Sequence, residues 1–277
     1  MYESPESRRR RATKRLGASV FAAASVFAVG LAIILLWAFR GQVKLGEFGC
    51  PIGSGKIPEL VAVVFDASEP YSPVQRRYIE LTIRDLLLDA PIHTWFGLYV
   101  IDDNFTQPMP PKPQRCKPQL PANANEWTQN EKFLQADWEK FEGEFDEAFS
   151  AALATKEGSR SPIMEILQSV VLTGFAELDR QTSVGARRRI IIISDLLQNT
   201  DDVNHYGTRP PNFELFKKTS FFKHVSISLT NVEIEVFYAN RRCCQIVQGK
   251  KHLEFWNAYF QAQGAVKLHF NVIPGSS

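Results

Sequence analysis

The sequence predicts an α/β fold, with a mostly parallel central sheet and helices on both faces, preceded by one transmembrane helix. Short apolar runs rich in valine and isoleucine alternate with segments of helical periodicity. Strands separated by helices imply right-handed crossovers, and therefore a parallel sheet. One uncharged stretch near the N-terminus is long enough to cross a bilayer. With 277 residues, 44% of them apolar, the rest of the chain can bury a large core.

The uncharged stretch is "LGASVFAAASVFAVGLAIILLWAF", residues 16–39. It exceeds the roughly 20 residues that a membrane helix needs, and Trp37 and Phe39 stand where interfacial aromatic residues would lie. A cleavable signal peptide is the alternative. Its apolar region would span about 7–15 residues and a small-residue cleavage site would follow, and neither feature is found here. We therefore predict a retained membrane anchor at residues 16–39.

Charge predicts the orientation of this anchor. Only Arg40 and Lys44 follow it closely, whereas six basic residues precede it: Arg8, Arg9, Arg10, Arg11, Lys14 and Arg15. The positive-inside rule makes residues 1–15 a cytoplasmic tail and places the chain beyond residue 40 outside the cytoplasm, in the periplasm if the organism is a bacterium. The formal net charge is only +2, so the remainder is near neutral or acidic and no nucleic-acid partner is indicated.

Residues 40–56 are predicted as a linker and residues 57–277 as one domain. Its predicted strands cover residues 59–66, 93–102, 188–195, 232–239 and 266–273. Its predicted helices cover residues 72–90, 131–154 (interrupted near Gly143), 161–178 (with Ser161 as N-cap) and 250–265. The proline-rich insertion 104–125 breaks all periodicity and is predicted as a long loop.

Four cysteines lie on the predicted exported side, where disulfides persist: Cys50, Cys116, Cys243 and Cys244. They allow three pairings. A bridge between the adjacent Cys243 and Cys244 would be strained, so we expect Cys50 or Cys116 to pair with one of those two. The histidines His205, His224, His252 and His269 show no ligand spacing and are predicted at the surface or in loops.

Polar side chains follow two of the predicted strands. The first strand runs into "FDASEPYS", which contains Asp66 and Ser68, and the apolar run "IIIIS" ends on Asp195. Ser161 heads a predicted helix. Ligands of open α/β sheets bind at the carboxyl ends of the strands, and carboxylate and hydroxyl oxygens suit Mg²⁺. As an alternative, Asp66 and Asp195 cap helices and satisfy loop amides.

Taken in chain order, the three segments that contain Asp66 and Ser68, Ser161, and Asp195 resemble the loops of a von Willebrand factor A-type domain with a metal-ion-dependent adhesion site. "DASEP", residues 66–70, matches the first two polar positions of the family's Asp-x-Ser-x-Ser loop. Ser161 stands in place of the family's threonine, and Asp195 matches its strand-closing aspartate. The ending "LEFWNAYFQAQGAVKLHF" also resembles the family's last helix and strand, so the resemblance spans roughly residues 57–273.

The resemblance implies a VWA/Rossmann-like fold and a magnesium site made of Asp66, Ser68, Ser161 and Asp195. It also implies a protein partner that completes the coordination with a carboxylate. Two positions depart from the family pattern. Pro70 replaces the second serine, unless Ser72 substitutes for it, and Leu196 stands where many members have glycine.

Three functions are compatible with these features. The first is a membrane-tethered interaction module that binds its partner through magnesium, and the second is a structural subunit of a membrane complex with a decayed metal site. The third is a metal-dependent phosphohydrolase using Asp66, for which Asp201 and Asp202 are the only nearby further carboxylates. We predict a non-enzymatic binding module.

Overall fold

The computed structural model describes residues 22–34, 43–53, 56–102, 105, 107–124, 129–154, 158–181, 185–207 and 209–276. The chain divides into two compact units, Met1–Val43 and Lys44–Ser277. In the first unit, residues 22–34 form helix α1. The rest of the predicted anchor 16–39 and the basic tail 1–15 lie outside the described residues. No helix in the described part of the chain has the length and apolarity that crossing a membrane requires.

The second unit is built on a six-stranded sheet with the order β3-β2-β1-β4-β5-β6. The strands are β1 (Glu59–Asp66), β2 (Trp95–Ile101), β3 (Gln114–Cys116), β4 (Arg187–Ser194), β5 (Val232–Asn240) and β6 (Lys267–Ser276). All neighbouring pairs are parallel except β2 and β3. The predicted α/β fold with a mostly parallel sheet is confirmed.

Helices connect these strands. They are α2 (Pro73–Asp89), α3 (Glu131–Leu153), α4 (Ile163–Ser169), α5 (Ala176–Gln181), α6 (Phe213–Phe216), α7 (Ser220–His224) and α8 (Lys250–Ala262). Helix α3 runs through Gly143 without the predicted interruption. A π-helical segment, Val170–Phe175, joins α4 to α5. The N-cap of α4 is Pro162 and not Ser161, whose predicted capping role was therefore wrong.

The central strand β1 is buried along its whole length because helices cover both faces of the sheet. Leu60, Ala62 and Val64 pack into a cluster with residues of α4 and α8. The alternate residues of β1 pack into a second cluster with residues of α2 and α3. Full burial of one such side chain stabilises the fold by about 1.5–3 kcal/mol, which explains why these strands read as continuous apolar runs.

The proline-rich insertion contains β3, which the sequence did not predict. Beside it, residues 44–52 fold back on themselves, and the Phe48 carbonyl accepts a hydrogen bond from the Cys116 amide at 2.9 Å. A disulfide joins Cys50 to Cys116. Much of the predicted linker 40–56 is therefore fixed to the edge of the sheet. Covering an edge strand in this way blocks its pairing with other chains.

The second disulfide joins Cys243 to Cys244. At least one disulfide was predicted and is confirmed, but the expected pairing between the early and late cysteines was wrong. Cys116 lies opposite Trp95, the first residue of β2. Cys243 and Cys244 follow the last residue of β5. The two pairs therefore lie at opposite ends of the parallel strands, out of reach of each other.

Removing the Cys50–Cys116 bridge should destabilise the chain far more than removing the adjacent pair. The bridge closes a loop with a sequence separation of 66 residues. In the chain-entropy model such a loop contributes about 4 kcal/mol. We expect the Cys50→Ala/Cys116→Ala protein to lose about this much free energy of unfolding in urea. The matched control, Cys243→Ala/Cys244→Ala, closes almost no loop and should lose much less. A cross-linked peptide joining Cys116 to Cys243 or Cys244 under non-reducing conditions would contradict this pairing.

Candidate functional site

The predicted site residues meet at the carboxyl edge of the sheet. Strands β1 and β4 are parallel neighbours, so Asp66 and Asp195 emerge side by side. The Ser68 hydroxyl donates to Asp66 Oδ1 at 2.6 Å, and the Ser161 hydroxyl donates to Asp66 Oδ2 at 3.0 Å. All four of these residues are buried. We call these four residues, together with Arg241, the carboxyl-edge site.

Asp66 is the centre of a group of hydroxyl donors. Besides Ser68 and Ser161, the Ser194 hydroxyl donates to Oδ2 at 2.7 Å and the Ser68 amide donates to Oδ1 at 3.0 Å. Each Asp66 oxygen thus accepts two hydrogen bonds. This explains how a fully buried strand can end on a carboxylate, because hydrogen bonding offsets the cost of desolvation.

Asp195 is paired with an arginine that the sequence analysis missed. Arg241 Nε donates to Asp195 Oδ2 at 2.7 Å, and the Leu197 amide donates to Oδ1 at 2.8 Å. The side chains of Asp195 and Arg241 are only 1% and 2% exposed. Burial raises the pKa of Asp195 above its usual range, and the adjacent Arg241 guanidinium opposes this by favouring the ionised carboxylate. Arg241 follows the end of β5, a third strand that points to the same edge.

The guanidinium of Arg241 is held on several sides. It donates to the Pro70 carbonyl at 2.5 Å and to the Glu69 carbonyl at 3.4 Å. The Glu69 carboxylate lies 3.4 Å from Nε, and the Tyr71 ring centroid lies 4.7 Å from the guanidinium carbon. Hydrogen bonds, ion pairs and a cation–π contact thus surround the planar guanidinium.

Gln248 holds the backbone on both sides of the Asp195–Arg241 pair. Its side-chain oxygen accepts from the Arg241 amide at 2.7 Å. Its side-chain nitrogen donates to the Asp195 carbonyl at 3.1 Å and to the Ala239 carbonyl at 2.9 Å. The ends of β4 and β5 are therefore linked by one amide side chain.

The four predicted ligands do not fit a magnesium ion with their present partners. Ser68 and Ser161 retain oxygen lone pairs that a cation could use, because their hydrogens point to Asp66. Asp195, however, is paired with Arg241, and Pro70 has no hydroxyl group. Ser72 does not substitute for it, because it is the N-cap of α2 in a capping box with Gln75. In the described part of the chain, no group of three or more His, Cys, Asp or Glu side chains is placed to hold a metal ion.

The backbone conformation at Leu196 is one that suits glycine. Its φ is +58°, in the left-handed region that glycine adopts without strain. The turn is held by its amide, which donates to the Ser194 hydroxyl at 2.8 Å, and by its carbonyl, which accepts from Trp256 Nε1 at 2.9 Å. The Leu196 side chain is fully buried in the core. Burial of the side chain thus compensates for the strained backbone.

Glu69 and Tyr206 lie over the site. The Tyr206 hydroxyl donates to Glu69 Oε1 at 2.5 Å, and burial raises the pKa of Tyr206. Tyr206 also packs against a small apolar cluster of Leu197, Cys244 and Val247. Asp201 and Asp202, the carboxylates considered for phosphoryl chemistry, are exposed, whereas Asp66 and Asp195 are buried.

Of the histidines predicted at the surface or in loops, two are buried: His205, which does lie in a loop, and His252, which lies in α8. His205 is 3% exposed and His252 is fully buried, and their ring centroids lie 5.5 Å apart. His252 contacts the Tyr238 hydroxyl at 2.9 Å, whereas neither ring nitrogen of His205 has a hydrogen-bond partner among the described residues. Burial lowers the pKa of His205 to about 3 and that of His252 to about 4.

Comparison with known proteins adds little to this picture. No protein-family model matches the chain, and no curated protein matches it. Among solved structures, it is similar to proximal thread matrix protein 1 from the mussel byssus, with 13% sequence identity and a TM-score of 0.40. The match covers 79% of this chain and 45% of that chain, so this chain spans less than half of that protein's length.

The two buried histidines should make the protein sensitive to acid. In the unfolded chain each takes up a proton near pH 6.5, whereas in the folded chain each does so only near pH 3–4. Stability is therefore fully present above about pH 6.5 and falls as the pH drops towards 4. The loss is up to about 1.4 kcal/mol per pH unit for each histidine. His205→Phe should remove one histidine's share of this slope in unfolding measurements between pH 4 and 7.

The exposed His224 provides the matched control. His224→Phe introduces the same new residue and should retain the wild-type pH profile. If His205→Phe and wild type show the same slope, His205 does not stay neutral in the folded protein.

Proposed function

We propose that this chain is a membrane-tethered, non-enzymatic structural subunit whose exported VWA-like domain binds a protein partner. The observation that supports this best is the closure of the carboxyl-edge site. In open α/β sheets this edge is where ligands and reacting groups lie. Here Asp66 is saturated by hydroxyl and amide donors, and Asp195 is paired with Arg241.

This closure disfavours the phosphohydrolase function. A nucleophilic or ligating Asp66 would need access to a phosphate ester, but its side chain is fully buried. The cation beside Asp195 is an arginine that is itself 2% exposed. The domain is therefore expected to act through its outer surface and not through chemistry at the strand ends.

The proposed topology rests on the sequence. Residues 16–39 would span the membrane, residues 1–15 would remain in the cytoplasm and residues 57–277 would lie outside it. Both disulfides lie in the proposed exported part, which agrees with an oxidising compartment.

Crosslinking from the outer face of the membrane tests topology and partner binding together. A membrane-impermeant, amine-reactive crosslinker is applied to intact cells or right-side-out vesicles that contain the full chain. The exposed Lys250, whose side chain is 90% exposed, should react, whereas Lys14 should stay unmodified. We expect a defined protein to be crosslinked to the chain, in equal yield with magnesium and with a chelator.

Lys14 is the internal control, because it becomes reactive once the vesicles are made permeable. Modification of Lys14 in sealed vesicles would contradict the topology. Phosphate-ester hydrolysis by the purified chain that disappears in Asp66→Asn would contradict the non-enzymatic function.

A further inference from the structure

We infer that Arg241 is the built-in cation of the carboxyl-edge site, replacing a divalent metal ion. The site is therefore stable without magnesium, and it binds magnesium only when the guanidinium is removed. This inference does not depend on the identity of the partner or on the membrane topology.

The charges at the site support this replacement. Asp66, Asp195 and Glu69 bring three carboxyl groups to neighbouring loops, and Arg241 makes contact with two of them. Its Nε lies 2.7 Å from Asp195 Oδ2 and 3.4 Å from Glu69 Oε2. A cation in this position offsets the repulsion among the carboxylates, which is what a metal ion would otherwise do.

The loop that lacks a metal ligand also contributes to the arginine site. Residue 70 has no hydroxyl group because it is proline, but its carbonyl accepts a hydrogen bond from Arg241. The neighbouring Tyr71 places its ring against the guanidinium and its hydroxyl on the Asp66 carbonyl at 2.8 Å. The short segment of residues 68–71 thus contacts both Asp66 and Arg241.

The hydrogen bonds and the charge of this arrangement disfavour a divalent cation. Asp195 Oδ2 is already bonded to Arg241, and its Oδ1 accepts from the Leu197 amide. A magnesium ion beside the guanidinium would also be repelled by it. Without Arg241, the carboxylates of Asp195 and Glu69 would face the volume that the guanidinium now fills.

Thermal unfolding with magnesium alone as the probe tests this inference. The full chain in detergent is melted in a chelator and in millimolar MgCl₂. The wild-type Tm should not change between the two solutions. Arg241→Ala should have a lower Tm in the chelator, and magnesium should raise it by about 5 °C, as expected when a ligand binds only the folded state.

Two further variants make the outcome specific. Arg242→Ala removes the same charge from an exposed neighbouring position, and it should not respond to magnesium. Asp66→Asn combined with Arg241→Ala should lose the magnesium response, because one of the three carboxylate charges that would attract the cation is removed.

Three results would overturn the inference. One is a magnesium-dependent rise in the Tm of wild type, since Arg241 would then leave room for a metal ion. Another is an Arg241→Ala protein that folds but does not respond to magnesium. The third is an Arg241→Ala protein that stays unfolded in both solutions, because magnesium would then be unable to replace the guanidinium.

Discussion

The buried ion pair between Asp195 and Arg241 is the interaction on which the carboxyl edge of this sheet depends. Both side chains are almost fully removed from water, and their closest atoms lie 2.7 Å apart. Bringing two charges out of water costs several kcal/mol each, so the pair adds little stability compared with apolar side chains of the same size. Removing only one partner is different, because it leaves the other charge buried and uncompensated. The loops must therefore keep Asp195 and Arg241 in contact, because separating them would leave a buried charge without its partner.

Three loops are held together by this constraint. Asp195 follows β4, and Arg241 follows β5. The Pro70 and Glu69 carbonyls, which accept from Arg241, follow β1. Gln248 links the backbones of the second and third loops. Ser161 attaches the loop before α4 to Asp66, and this explains why its hydroxyl does not cap its own helix. The site thus links the loops to one another and is closed to solvent. A partner would contact the surface around the site and not Asp66 itself.

Most of the sheet could be predicted from the sequence, because strands buried on both faces leave continuous apolar runs and their parallel order follows from the helices between them. The proximity of Asp66 and Asp195 followed from the same reasoning. Arg241 could not be predicted in the same way, because a basic residue after a strand does not show which carboxylate it will pair with. The end of the strand "VEIEVFYAN" followed by Arg241 was the available signal. The burial of His205 and the cysteine pairing depend on tertiary packing, which local pattern does not encode. Helix α3 continues through Gly143 because its buried aromatic residues, Phe141 and Phe145 among them, hold it against the sheet.

A double-mutant cycle on the ion pair tests this account most directly. Asp195→Asn, Arg241→Met and the double variant are compared with wild type by urea unfolding of the full chain. Each single substitution should destabilise the protein by about 3–5 kcal/mol, because it leaves one buried group without its partner. The double variant should lose clearly less than the sum of the two, with a coupling energy of at least about 2 kcal/mol. Additive losses, or single losses within about 0.5 kcal/mol of zero, would contradict the central role given to this pair.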